Sequence, residues 1–166
     1  MKILKLVEPN IKYEKTFLDF VSSFWWSENI AWFWVYDKVV NSASDFIEKL
    51  KEQNLAINLW TKVPNSVFWL IDEENIMIWT IDIRHRLNDK LKTRWWNIWY
   101  SISPNYRKMW YWKELLRLWI LKAREIWITD ILITCNVWNL PSSKVIEQNW
   151  GVYENTVDWW NRYWIK

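Results

Sequence analysis

Two adjacent cations, Arg107 and Lys108, open the run R-K-M-W-Y-W that ends at Trp112. A strand-like segment precedes it and a helix-like segment follows. Cations in that setting can neutralise a phosphate, because the free N–H groups at a helix N-terminus carry a partial positive charge of their own. Arg107, Lys108, Met109, Trp110, Tyr111 and Trp112 are therefore candidate phosphate-binding residues. The two cations also fit an ordinary solvated pair. His85 is the single histidine, placed between Arg84 and Arg86 at the end of a strand-like run. It fits a general base. It fits as well a surface histidine whose affinity for a proton the two arginines lower. Cys135 is the single cysteine, so no intramolecular disulfide can form, and its place inside an apolar run suits a buried structural thiol.

The elements that must position these groups follow from periodicity and turn chemistry. Met1–Val7 reads as an opening strand and Ile11–Phe24 as a helix. Trp25–Val40 reads as an irregular aromatic loop, and Asp45–Gln53 as a second helix with Ser42 and Ser44 available as caps. Trp60–Asn65 is a loop around Pro64. Ser66–Ile71 and Ile76–Arg84 are strands joined by the turn D-E-E-N, and Leu87–Trp96 is a polar connection. Asn97–Ser103 is a strand ended by Pro104. Tyr111–Ile126 is a helix with Leu115, Leu118, Ala123 and Ile126 on its inner side. Asp130–Asn136 is a central strand and Pro141–Asn149 a short helix with proline in its first turn. Val152–Val157 and Arg162–Ile165 read as a closing pair of strands.

The length of 166 residues suits a single domain over 1–166. A net charge of +3 gives no strong attraction to nucleic acid and fits a small anionic ligand. No apolar run is long enough to span a bilayer, and Glu8 interrupts the first apolar run too early for a signal peptide. A cytoplasmic protein is expected, without membrane or nucleic-acid partners and without a metal site.

The composition holds one glycine and 19 tryptophans, where a chain of this length ordinarily carries about 12 glycines. Trp25–Trp26, Trp95–Trp96 and Trp159–Trp160 are pairs in polar loop contexts. Trp127 and Trp150 each follow a helix-like run at the place where a left-handed residue usually ends it. An indole suits that backbone poorly and glycine suits it well. Most of these tryptophans are therefore expected to stand where the natural protein has glycine, as would follow from a gene whose UGA codons mean glycine. Trp164, in the aromatic ending R-Y-W-I-K, reads as a true tryptophan. A genuinely tryptophan-rich chain is the alternative.

With glycine at 110 and 112, the loop becomes R-x-x-G-x-G after a strand, and N-x-x-S follows at Asn139 and Ser142. This resembles the acetyl-CoA site of the GNAT N-acetyltransferase superfamily. V-P-N-S-V-F, I-D-I-R-H-R-L-N, I-T-C-N and S-S-K-V-I-E-Q-N-x-G resemble one bacterial branch of predicted acetyltransferases, from about Val63 to the C-terminus and more weakly upstream. In that family Trp79, Trp99, Trp110 and Trp150 would be glycine. The resemblance implies an α+β fold of the GNAT type: a mixed, mostly antiparallel sheet flanked by helices and splayed between the strands at Asn97–Ser103 and Asp130–Asn136. It implies acetyl-CoA as co-substrate, with the backbone of Ile102 and Ser103 pairing with pantetheine and the loop Arg107–Trp112 holding the pyrophosphate. Asn139 and Ser142 would contact the CoA arm near the thioester. Asn139 fits equally a helix cap, and Ser142 a first-turn helix residue. Asn139 and His85 are the candidate catalytic residues. Ile146 stands where many relatives have the tyrosine that protonates the leaving thiolate. The implied reaction is direct attack by an amine of a small molecule or peptide. A homodimer is common in the family, though nothing in the sequence forces one. Two other functions fit: a catalytically idle CoA-binding or regulatory domain on the same fold and, if the tryptophans are literal, an aromatic module for sugars or a membrane surface.

Overall fold

The β-branched and aromatic runs become strands and the apolar-periodic runs become helices in the computed structural model of the chain, which describes residues 3–24, 43–48, 63–94, 97–106 and 112–166. In order they form β1 (Lys5–Val7), a 3-10 turn (Ile11–Tyr13), α1 (Glu14–Ser22), β2 (Asn65–Ile71), β3 (Met77–Arg84), α2 (Asp89–Arg94), β4 (Ile98–Ile102) and a second 3-10 turn (Pro104–Tyr106). Then come α3 (Trp112–Glu125), β5 (Ile131–Asn136), α4 (Leu140–Gln148), β6 (Val152–Val157) and β7 (Trp160–Ile165). Residues 43–48 are also helical. The strands make one sheet in the order β1-β2-β3-β4 and another in the order β5-β7-β6. The loop expected over Trp25–Val40, and the end of the helix expected over Asp45–Gln53, lie outside the described residues.

Contacts divide the chain into two compact units. The first takes its described residues from 1–57, 65–82 and 100–108. Its core is aromatic: Phe17, Phe20 and Phe24 on the α1 side meet Val67, Trp69 and Ile71 of β2. Alternate β2 residues share one face because successive strand side chains point in opposite directions. The rings of Phe17 and Trp69 stack at 4.8 Å between centroids and 9° between planes. The β2–β3 turn is built by Asp72, whose Oδ1 accepts from the N–H groups of Glu74 and Ile76 at 3.0 and 2.9 Å. Asn75 takes a positive φ there of 59°, which asparagine tolerates better than most residues.

The second unit takes its described residues from 58–64, 83–99 and 109–166. β7 lies between β5 and β6, antiparallel to both. The buried face of α3 is Leu115, Leu116, Trp119, Ile120 and Ala123. Leu118 and Ile126, expected inside, are half-buried, because the apolar stripe runs one position off the expected one. The polar connection expected at Leu87–Trp96 is in part the helix α2. Asn88 caps it by accepting from the N–H of Leu91 at 2.9 Å. Leu91 is its anchor and is 4% exposed. A helix this short offers too few apolar positions for periodicity to register. Glu154 of β6 holds the Arg162 guanidinium of β7 at 2.9 Å, and the same guanidinium donates to the Lys92 carbonyl of α2.

Asn97, just before β4, uses both of its polar faces. Its backbone N–H donates to the Leu132 carbonyl at 3.0 Å, and its carbonyl accepts from Arg84 at 2.7 Å. Its side-chain Oδ1 accepts from Leu132 N–H at 2.8 Å and its Nδ2 donates to the Arg84 carbonyl at 3.1 Å. Asn97 is 3% exposed, so removing its carboxamide strands two buried backbone groups. Asn97→Leu is expected to lower stability by about 2–6 kcal/mol, at about 1–3 kcal/mol per buried group left unpaired. Urea unfolding measures it.

Candidate functional site

β4 is the edge strand of its sheet and runs out at Ile102. Ser103 follows, 2% exposed. Its N–H donates to the Ile78 carbonyl of β3 at 3.1 Å, and its carbonyl accepts from Tyr106 at 2.9 Å. Its hydroxyl donates to Ser23 Oγ at 3.0 Å. Both backbone groups of Ser103 are thus engaged inside the protein. Successive amides of a strand point to opposite edges. With Ser103 turned toward β3, the amide of Ile102 turns to the other side. Of the two residues expected to pair with an extended amide-bearing ligand, Ser103 has both backbone groups bonded within the protein.

Arg107, Lys108, Met109, Trp110 and Tyr111 lie outside the described residues. Trp112 is the first residue of α3, a helix of 14 residues, and its first-turn N–H groups have no partner within the helix, as at any helix start. Asn149, 1% exposed at the end of α4, steadies this turn. Its Nδ2 donates to the carbonyls of Lys113 and Val145 at 3.2 and 3.0 Å.

Asn139 is the N-cap of α4. Its Oδ1 accepts from Ser142 N–H at 3.2 Å, and its carbonyl accepts from Ser143 N–H at 3.1 Å. Pro141 sits in the first turn, where a missing N–H costs nothing. The capping role of Asn139 is therefore real, and it occupies only the oxygen of the carboxamide. Among the described residues Asn139 Nδ2 and Ser142 Oγ have no hydrogen-bond partner. Ile146, on the same helix, is 3% exposed.

His85 is half-buried, and its backbone N–H donates to the Pro64 carbonyl at 2.9 Å. Its imidazole holds a proton less tightly than an ordinary histidine, and the cause is burial. The direction is the expected one, but the cause is desolvation rather than the neighbouring arginines. Cys135 is 4% exposed, and burial, with Glu147 as a smaller influence, raises its pKa. Its Sγ lies 3.2 Å from Ser143 Oγ. Burial raises the Tyr163 phenol above its ordinary pKa, and the nearby Ser143 hydroxyl offsets part of that shift. This Cys135–Ser143–Tyr163 group is missed by sequence reasoning because its members come from β5, α4 and β7, brought together only by the β5-β7 ladder, which pairs Tyr163 with Ile133. Among the described residues no cluster of histidine, cysteine, aspartate and glutamate could hold a metal ion, and no helix is long and apolar enough to cross a membrane.

Solved structures resemble this one over nearly the whole chain. The microcin C7 self-immunity acetyltransferase MccE, in complex with acetyl-CoA and AMP, superposes with a TM-score of 0.66 at 15% identity, over 97% of this chain and 91% of its own. The chain has the GNAT acetyltransferase fold. Spermidine N-acetyltransferase from Vibrio cholerae, in complex with CoA and spermine, gives a TM-score of 0.59 at 12% identity over 97% and 92% of the two chains. A GNAT-family acetyltransferase from Bacillus anthracis gives 0.56 at 19% identity over 99% and 96%. No family model matches the sequence, and neither does any curated protein. The GNAT resemblance in the sequence and the fold of the chain agree.

The lowered pKa of His85 has a consequence for stability. The unfolded chain binds this proton more readily than the folded one. Folding therefore gains fully from the neutral imidazole above the ordinary value of 6.5 and loses that gain as pH falls below it. His85→Gln is expected to flatten the loss of stability below that value, read from urea midpoints across the acid range.

Proposed function

We propose that the chain is an acyl-CoA-dependent N-acetyltransferase that moves acetyl from acetyl-CoA to an amine of a small molecule or peptide. The observation that carries this is the order of parts on the GNAT fold: an edge strand ending at Ile102, the cations Arg107 and Lys108, and then the N-terminus of α3 at Trp112. Ile102 offers the outward backbone for the amide-bearing pantetheine arm. The first turn of α3, with Arg107 and Lys108, offers positive charge for the pyrophosphate. Asn139 Nδ2 and Ser142 Oγ are the polar groups for the arm near the thioester. Bound acetyl-CoA supplies an activated acetyl carbonyl.

The reaction needs a neutral amine whose nitrogen bonds the carbonyl carbon as the carbon–sulfur bond breaks. The amine gives up a proton and the leaving sulfur takes one. A backbone N–H aimed at the carbonyl oxygen stabilises the charge that develops there. His85 is the candidate acceptor of the amine proton: burial favours its neutral form, the form a base requires. Ile146 carries no proton to give, so the sulfur takes one from water or from another group. The same isoleucine supports the second reading, a domain that binds CoA without turning it over.

The glycine form of the loop, with Trp110→Gly and Trp112→Gly, is expected to bind CoA, whereas the chain with indoles at both positions binds it weakly or not at all. Within the glycine form Arg107→Ala is expected to raise the Kd for CoA roughly tenfold or more, the size of a lost hydrogen bond to a charged group. Calorimetric titration measures both. A panel of polyamines, amino acids and peptide amines, followed by thiol release and product mass, tests transfer. CoA binding without release on any amine favours the idle domain. No CoA binding by the glycine form sinks both readings.

A further inference from the structure

Five non-glycine residues in the described chain hold a positive φ: Asn75, Trp127, Trp150, Asp158 and Trp159. Asparagine and aspartate tolerate that backbone because their short side chains bond locally. The other three are all tryptophan, one of the bulkiest side chains that could stand there. They occur in different elements. Trp127, at φ 64°, closes α3. Its N–H bonds the Arg124 carbonyl at 3.0 Å, and the N–H of Ile128 bonds the Ala123 carbonyl at 2.9 Å. Trp150, at φ 64°, closes α4 in the same way, with its N–H on Glu147 at 3.1 Å and Gly151 N–H on Ile146 at 2.9 Å. These paired bonds are the Schellman motif, whose left-handed residue is usually glycine. Asp158 and Trp159, at φ 47° and 70°, form the two-residue turn between β6 and β7. Positive φ at both central residues is the mark of a type I′ hairpin, for which Asp-Gly is a preferred pair.

The indoles repay little of this strain. Trp127 is 91% exposed and Trp150 74%, and neither meets another ring among the described residues. Trp159 stacks only on the exposed Trp138, at 5.4 Å. Trp69 is the contrast: it is fully buried and stacks on Phe17 inside the aromatic core of the first unit. Its burial and its stack set it apart from the three exposed left-handed positions, although its buried Nε1 has no hydrogen-bond partner among the described residues. The single glycine, Gly151, sits one residue beyond a left-handed site, where an added Cβ would lie 2.9 Å from the Ile146 carbonyl oxygen.

We infer that residues 127, 150 and 159 are glycine in the protein its gene specifies, the codon UGA being read there as glycine, while Trp69 is a tryptophan encoded by UGG. One codon assignment accounts for all three left-handed sites, for the single glycine and for the excess of tryptophan. It does not depend on acetyl transfer.

Stability separates the residues. At 127 and 150, replacement of Trp by Ala keeps the left-handed strain and replacement by Gly removes it. Trp127→Gly and Trp150→Gly are each expected to fold with an equilibrium constant about fivefold or more above that of the Ala variant and of the unchanged chain, the lower end of the cost of holding a non-glycine there. Trp138, exposed and without positive φ, is the control, where Gly is expected to do no better than Ala. Trp69→Gly is expected to lose stability sharply. Gly variants at 127 and 150 no more stable than their Ala counterparts would overturn the inference. Tandem mass spectrometry of the protein from its source cells decides it independently, in the tryptic peptides Glu125–Lys144 and Val145–Arg162. Glycine residue masses at 127, 150 and 159 are expected. Tryptophan masses would refute the assignment and leave the Trp138–Trp159 stack as a genuine exposed aromatic surface.

Discussion

A buried asparagine holds the end of β3 and the start of β5 at one point. Asn97 meets Arg84 twice and Leu132 twice, using backbone and carboxamide in parallel. β4 and β5 belong to different sheets, so no ladder supplies the bonds to Leu132. The side chain supplies what a neighbouring strand otherwise would. Its donor and acceptor are both needed, because a buried backbone N–H or carbonyl without a partner costs more than the bond itself returns. No apolar residue of similar size can do this, and aspartate lacks the donor. β4 begins immediately after the clamp and ends five residues later at Ile102.

Much of this was legible in the chain. Strands with strong apolar runs and helices with clear stripes lie where periodicity puts them, and D-E-E-N makes the β2–β3 turn because Asp72 can cap two amides at once. α2 was hidden because a helix of six residues is too short for an apolar period to register. The buried face of α3 was displaced because Leu116, Trp119 and Ile120 form a stripe that Leu118 and Ile126 only border. The double use of Asn97 was out of reach for a different reason. Its partners lie 13 and 35 residues away in sequence, and no local pattern distinguishes an asparagine that clamps from one that merely turns. The Cys135–Ser143–Tyr163 group was hidden in the same way.

The ends of α3 and α4 show how local chemistry and global fold disagree in this sequence, and only at tryptophan. Natural chains are consistent across levels, so that turn residues, caps and packing all favour the same structure. Here the helix N-caps at Asn88 and Asn139 and the turn at Asp72 agree with the fold, and the left-handed residues at 127, 150 and 159 do not. A functional strain would be expected to cluster at one site. These three fall at two helix ends and one hairpin, with no shared neighbourhood required by any of their hydrogen bonds. That scatter is what a systematic change of one residue type produces, and it is not what selection for a strained site produces.

Proton transfer is the part of the proposed chemistry that the chain leaves least served. A tyrosine at position 146 would sit about two turns beyond Asn139 on α4, but Ile146 is 3% exposed and packs toward the Gly151 end of the helix. The phenol nearest in kind is that of Tyr163 on β7, whose pKa burial raises and the Ser143 hydroxyl of α4 partly offsets. Ser143 is itself 8% exposed and bonded to Cys135, so its hydroxyl is committed on the inner side of the helix. A proton taken by a leaving sulfur near Asn139 and Ser142 would therefore come more easily from solvent than from Tyr163. An enzyme of this kind would depend on positioning and on a polarised carbonyl more than on a built-in acid.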